Sequence, residues 1–364
     1  MKSVDTAKKE PLFHLTKRPP LSLKMSILIR AIAILIGFLF SAIVVMIVTQ
    51  TNPIKIFASI FSGAFGTLRR VWNLLDDTMI LLGISLAVTP AFKMKFWNCG
   101  AEGQVLIGGL ATVTCMLFFG ESLPLPILFI VMTVASILAG AIWAVIPAIF
   151  KALFGTNETL FTLMMNYIAI QIIKFFIKIW VKSGSGVLET MPQYKFPDIL
   201  GQKQILTIIL MVALCVTLYV YLRNSKQGYE ISVVGESENT ARYIGINVKK
   251  VVIRTMILSG TIAGFVGLLL VANGSCTIST NIVGGRGFTA IMVSWLAKFN
   301  PFIMILTSFL VAFLSRGSAQ ISTDLRVPTA TGDIITAIIL LFIIGCEFFI
   351  NYKINFRKSK EVAK

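Results

Sequence analysis

The chain has 364 residues, 56% of them hydrophobic and 13% charged, with a mean hydropathy of +0.85. About a quarter of a soluble domain's residues are charged, so this composition belongs to an integral membrane protein. Thirty-three Lys+Arg against 16 Asp+Glu give a formal charge of +17. Such an excess would ordinarily raise nucleic acid as a partner, but a mostly lipid-compatible chain has no water-facing surface to offer it, and nucleic acid is excluded. The single histidine, His14, lies in the polar N-terminal arm, so neither a His-based triad nor a HExxH zinc site can form. Cys99, Cys115, Cys215, Cys276 and Cys346 are odd in number, scattered and without CxxC spacing. They read as small buried hydrophobes, not zinc ligands or disulfides.

A bilayer core about 30 Å thick takes roughly 20 apolar residues to cross as a helix. Long Leu/Ile/Val/Phe/Met runs dominate, and the period-2 alternation of a barrel is absent. The first run, Ala31–Val48, has no small-residue cleavage motif and is expected to be an uncleaved span. Further spans are expected at Leu74–Phe92, Gln104–Phe119, Leu123–Phe150, Leu160–Trp180, Gln204–Leu222, Ile253–Ala272, Phe302–Ser315 and Ile334–Ile350, with a short piece at Phe288–Ala297. The fold class is therefore all-α and polytopic, with about eight to ten transmembrane helices, some broken or re-entrant. The topology of 49–73 and 273–300 is the least determined.

Three regions follow: a basic arm, 1–26; a transmembrane domain, 27–350, including a cytoplasmic loop, 223–252; and a basic tail, 351–364. The arm holds six Lys/Arg and two acids, the tail five and one. The positive-inside rule puts both in the cytoplasm, which requires an even number of crossings. The gap 223–254, with six basic and three acidic residues, falls inside by the same count. Lys55, Arg69 and Arg70 fall outside and break the rule. The amphipathic stretch Pro53–Thr67 beside them fits an interfacial or re-entrant helix. The loop Lys182–Lys203, with Ser-Gly-Ser-Gly at 183–186, is expected outside.

Two breaks interrupt apolar runs: Asn98-Cys99-Gly100-Ala101-Glu102-Gly103-Gln104 and Gly284-Gly285-Arg286-Gly287-Phe288. Each has the form Gly-x-charged-Gly. Ionisable groups beside a span are costly in lipid and usually mark a path, a partner or both, and broken helices are common in transporters. A solvated surface loop is the plainer alternative. Asn157 can cap the helix that follows it, with Glu158 at its positive end. Asn166, inside that span, reads equally as helix–helix glue or as a solute contact. The segment from Gly235 to Ile246 fits a short amphipathic helix, with Thr240, Ala241 and Ile244 at helical spacing, a stop at Gly245 and charges around them. Such a helix is a natural docking surface for a soluble partner. No GxxxxGK[ST] phosphate loop occurs. Acids near spans are few and close to their ends (Asp76, Asp77, Asp333, Glu347), which favours a pore powered by another chain over an ion-coupled carrier or channel.

These motifs, in this order, resemble the permease subunits of bacterial ABC importers of the branched-chain amino acid/ribose group, in their nucleoside or simple-sugar subtype. The matching patterns are Asn-x-Gly-Ala-Glu-Gly-Gln at 98–104, Asn-Glu-x-x-x-Thr-Leu-Met-x-Asn-Tyr-Ile at 157–168, Gly-Glu-x-x-x-x-Ala-Arg-Tyr-x-Gly-Ile at 235–246, Leu-Ser-Gly-x-x-Ala-Gly at 258–264 and Gly-x-Gly-Phe-x-Ala-Ile at 285–291. The resemblance implies a bacterial cytoplasmic-membrane protein with no catalytic residues and no cofactor of its own, ATP and magnesium being held by a partner ATPase. It also implies a second, homologous permease and an extracellular substrate-binding lipoprotein. By the same resemblance Asn98, Gly100, Glu102, Gly103, Gln104, Asn166, Gly285, Arg286, Gly287 and Phe288 would line or flank the translocation path. Gly235, Glu236, Asn239, Ala241, Arg242 and Gly245 would form the loop gripped by the ATPase. A direct approach of Glu102 to Arg286 is a further expectation.

Overall fold

Small polar side chains set where the helices begin. In the computed structural model, which describes residues 13–19, 22–50, 52–181 and 187–356, Ser22 opens α1 (Leu23–Thr49) by accepting the Met25 N–H, and Thr67 opens α3 (Leu68–Lys93) by accepting the Arg70 N–H. Asn157 caps α6 (Glu158–Trp180) as its position predicts, and Asn247 caps α10 (Val248–Leu269). Each cap satisfies a first-turn donor that lipid could not. The other helices are α2 (Pro53–Phe65), α4 (Ala101–Phe119), α5 (Leu125–Phe154), α7 (Gln204–Asn224), α8 (Lys226–Glu236), α9 (Glu238–Tyr243), α11 (Arg286–Leu296), α12 (Pro301–Leu325) and α13 (Thr329–Asn351).

Among the described residues nine helices are long and apolar enough to cross a membrane. Pro53–Thr67 is the expected short helix, as α2. The remaining expected piece, Phe288–Ala297, is α11, whose 11 residues span only about 16 Å, half a bilayer. The glycine-serine stretch 183–186 lies outside the described residues.

The chain divides into two units, residues 1–63 with 314–364 and residues 64–313; the division falls inside α2 and α12. In the first, α1 packs on α13 around Ala33, Cys346 and Ile350, and Arg30 pairs with Glu347. The arm and tail, expected as two separate polar ends, pair as a two-stranded antiparallel sheet, β1 (Phe13–Lys17) against β2 (Tyr352–Phe356). The N-terminal end of α1 and the C-terminal end of α13 therefore lie together.

In the second unit α10 is central, packed against α5, α4 and α3. Glycines let the backbones touch: a Cβ on Gly264 would meet the Ser136 carbonyl oxygen at 2.2 Å, and one on Gly108 would meet the Gly264 Cα at 2.5 Å. Gly260 and Gly264 make a small-xxx-small face, the standard device for close helix approach where lipid removes the hydrophobic incentive to associate. In α3 every residue from Thr78 to Phe92 is buried. Past Leu269 the helix widens into a π-type turn, Leu270–Ser275. Replacing Gly264 with Val should cost about 1–3 kcal/mol through overpacking and lower the thermal midpoint of the detergent-solubilised protein, read by size-exclusion chromatography after heating; an unchanged midpoint would contradict this packing.

Candidate functional site: a buried joint between the two helix breaks

The chain leaves α3 at Lys93 and enters α4 at Ala101 through an irregular segment whose backbone is paired partly with itself and partly with side chains. Asn98 is fully buried. Its Oδ1 accepts the Gly100 N–H at 3.0 Å and a proton of Gln104 Nε2 at 3.2 Å, while its Nδ2 donates to Gln104 Oε1 at 3.3 Å and to Ser259 Oγ on α10 at 3.0 Å. The two amides thus form a reciprocal pair across the first turn of α4.

Asn166 supplies the other half. Its Nδ2 donates to the Cys99 carbonyl at 2.8 Å and its Oδ1 accepts the Gly103 N–H at 2.8 Å, and Thr162 Oγ1 accepts the Cys99 N–H at 3.1 Å. One side chain on α6 therefore satisfies an acceptor and a donor freed by the break, so Asn166 is helix–helix glue in this conformation. Gly103 is needed because a Cβ there would stand 2.9 Å from Asn166 Oδ1.

Glu102 ties the two breaks together. Its side chain reaches the start of α11, where Oε1 accepts the Gly285 N–H at 2.8 Å and Oε2 the Gly287 N–H at 2.7 Å. Gly285 has φ +77°, and a Cβ on Gly287 would lie 2.6 Å from the Glu102 nitrogen. Glu102 also stands in the first turn of α4, so two helix N-termini share one carboxylate, the charge their dipoles favour. The expected approach of Glu102 to Arg286 takes the form of bonds to the glycine amides on either side of Arg286, not of a direct ion pair. Arg286 turns to Asp77 of α3, 2.8 Å from Oδ1, because the carboxylate is already held by the glycine amides on either side of Arg286. Phe288 is 45% exposed and stands outside these contacts.

Asn98, Glu102 and Gln104 are buried, so in this conformation the first break is a packed joint that binds α3, α4, α6, α10 and α11. Three of its members, Asp77, Thr162 and Ser259, were visible in the sequence as a span-end acid and as motif residues but were not assigned to the site. An aromatic group beside the joint was missed as well: Trp97 stacks on Trp295 with centroids 5.4 Å apart, and Phe92 and Phe299 close around them.

The expected single helix over 235–246 is two. Gly235 and Glu236 end α8, where a Cβ on Gly235 would stand 2.1 Å from the Lys93 carbonyl oxygen. Ser237, extended at φ −159°, then starts α9 by accepting the Thr240 N–H. Its side chain favours a new cap over helix continuation. Ala241 is fully buried, Tyr243 is 92% exposed and Ile244 beside it is exposed; Asn239 and Arg242 face outward, and Gly245 (φ +85°) ends the element. Glu230 of α8 pairs with Arg254 of α10 at 2.9 Å. Among the described residues no group of three His, Cys, Asp or Glu side chains is placed to hold a metal ion.

Long apolar helices with charged glycine breaks bonded to one another define a polytopic membrane transport subunit. A family described as "Branched-chain amino acid transport system / permease component" matches residues 70–344, and the chain belongs to it. Among its relatives, a guanosine ABC transporter permease of Bacillus subtilis is 28% identical over 345 residues, covering 92% of this chain and 96% of that one. A nucleoside ABC transporter permease of Lactococcus lactis is 27% identical, with 87% and 90% covered. A glucose ABC transporter permease of Haloferax volcanii is 27% identical, with 86% of each covered. The chain is thus a permease component of an ABC importer and not an enzyme.

Exchanging Asp77 and Arg286 should restore part of the uptake lost when either is changed alone, because those two charges touch. Exchanging Glu102 and Arg286 should restore none, because Glu102 bonds to backbone amides. Glu102→Ala leaves the buried Gly287 N–H and the half-buried Gly285 N–H without acceptors, at about 1–3 kcal/mol for the buried one, and should lower thermal stability as well as uptake.

Proposed function

We infer that this permease carries nucleosides into a bacterial cell by alternating access, driven by a separate ATPase that grips α9. Three supporting chains are expected around it: the ATPase, which holds ATP and magnesium; a second, homologous permease; and an extracellular binding lipoprotein that delivers the cargo. The cargo assignment is supported by the names of two relatives, one a guanosine and the other a nucleoside permease. The inner face is assigned to both termini by their basic charge. The pairing of β1 with β2 puts them on one side, in keeping with that assignment. An even number of crossings then needs α11 and the irregular segment before it to supply the passage that nine long helices leave over.

The observation that carries the coupling mechanism is an unbroken run of close contacts from α9 to the joint. α9 presents an exposed Tyr243 on a side chain-capped helix anchored by the buried Ala241. Directly before it, Gly235 of α8 lies against the Lys93 carbonyl, five residues ahead of Asn98. Glu230 links α8 to Arg254 of α10, and five residues further along α10, Ser259 holds Asn98. A displacement of α9 by the ATPase is therefore delivered to both sides of the first break. Nucleotide supplies the bias between two arrangements of the joint, the two-state element that such a switch requires.

Arg242→Pro removes an α9 backbone donor without touching a buried side chain. It should abolish uptake while the chain stays in the membrane and the ATPase still turns over. Normal uptake by this variant would end the coupling reading. Tyr243→Ala should weaken co-purification of the ATPase by about tenfold or more, as truncation of a Tyr hot spot does. The cargo is read by competition in cells carrying the complete transporter: unlabelled guanosine and uridine should suppress uptake of labelled guanosine while glucose does not, and suppression by glucose alone would sink the nucleoside assignment.

A further inference from the structure

The face of α6 opposite the joint carries polar groups that are costly to expose to lipid. Its inner side, Thr162, Met165, Asn166, Ala169, Ile173 and Ile177, is buried. Its outer side carries Tyr167, Gln171, Lys174 and Lys178, all exposed and spaced by four, three and four residues, so they fall in one stripe along the helix. Apolar Met164, Ile168 and Phe175 run beside them, exposed as well. At 1.5 Å per residue, Gln171 sits about 3 Å and Lys174 about 7.5 Å from the middle of α6. Lys178 is close enough to the helix end for its ammonium to reach the membrane surface. Gln171 has no such reach, and neither it nor Lys174 has a hydrogen-bond or ion-pair partner among the described residues. A mid-span amide and ammonium left facing hydrocarbon would be costly, and residues of this kind face a bundle interior or a water-filled cavity. Across the second unit's spans, Lys174 is the one described cation that stands exposed more than a turn from a helix end.

We propose that the Tyr167–Gln171–Lys174 stripe of α6 lines the water-filled translocation path and is the surface over which the cargo passes. The joint on the inner side of the same helix would then set the position of this wall, because Asn166 is buried against the joint and the adjacent Tyr167 is exposed. The chemistry suits a neutral, hydroxyl-rich solute with a flat ring: Tyr167 offers a ring face for stacking, Gln171 donors and an acceptor for a ring edge, and Lys174 donors for hydroxyl or carbonyl oxygens. This cargo clause rests on the nucleoside reading above, whereas the assignment of the stripe to the path does not.

The test uses the assembled transporter in membrane vesicles, with Gln171→Cys compared against Leu138→Cys, whose parent side chain is exposed near the middle of the wholly apolar outer face of α5. The probe is an anionic, membrane-impermeant methanethiosulfonate, applied with and without excess nucleoside and corrected for labelling of the parent chain. Gln171→Cys should react at least about tenfold faster, since one unit of thiol pKa rise in an apolar setting alone slows thiolate chemistry by that factor. Modification should then reduce uptake. Lys174→Leu, which would be harmless or favourable on a lipid face, should lower uptake with the amount of chain in the membrane unchanged. Equal, slow labelling of both cysteines, or parental uptake by Lys174→Leu, would overturn the proposal. Fast labelling at Gln171→Cys with no protection by any nucleoside would leave the path assignment standing and remove the nucleoside reading.

Discussion

Glu102 is the constraint around which the second unit is organised. A carboxylate at a helix start within a membrane protein must find donors inside the chain, because hydrocarbon supplies none. Here the donors are the Gly285 and Gly287 amides, 183 and 185 residues away in sequence. Satisfying one acid therefore fixes where α11 begins relative to α4. It also frees the Arg286 side chain to engage Asp77, which adds α3 to the same arrangement. Two breaks that would each be a liability alone become a single joint, because the donors exposed by one are the ones the acid of the other requires.

The same logic explains the amides around the first break. Asn98, Gln104 and Asn166 carry donors and acceptors on one short group, so each can close two orphaned positions at once. Charged residues could not do this without importing a desolvation cost. Tight glycine contacts at Gly108, Gly260 and Gly264 hold the surrounding helices close enough for these short side chains to reach.

The α8–α9 segment is held in place through geometry more than strength. Its surface pair, Glu238 with Arg242, is exposed, and such pairs contribute little. What matters is that α8 abuts the end of α3 at a glycine and is clipped to α10 by a half-buried ion pair. The α8–α9 segment is thereby connected to the membrane helices at points close in sequence to the joint, to which Asn166 also holds α6.

Much of this was legible in the residues. Apolar run length gave the spans, because the bilayer imposes a length that composition alone must meet. Asn157 as a cap, a stop at Gly245 and the placing of both glycine breaks were also legible, since these depend on neighbours within a few residues. The Ser237 cap that splits this segment into α8 and α9 was overlooked because an amphipathic pattern continues smoothly across it. The choice of Asp77 as partner for Arg286, the amides that hold Glu102, the pairing of β1 with β2 and the two-faced character of α6 were decided by the tertiary structure alone. Each joins residues far apart in the chain, and a sequence records that a polar group needs a partner in lipid without recording which distant group will be brought within 3 Å of it.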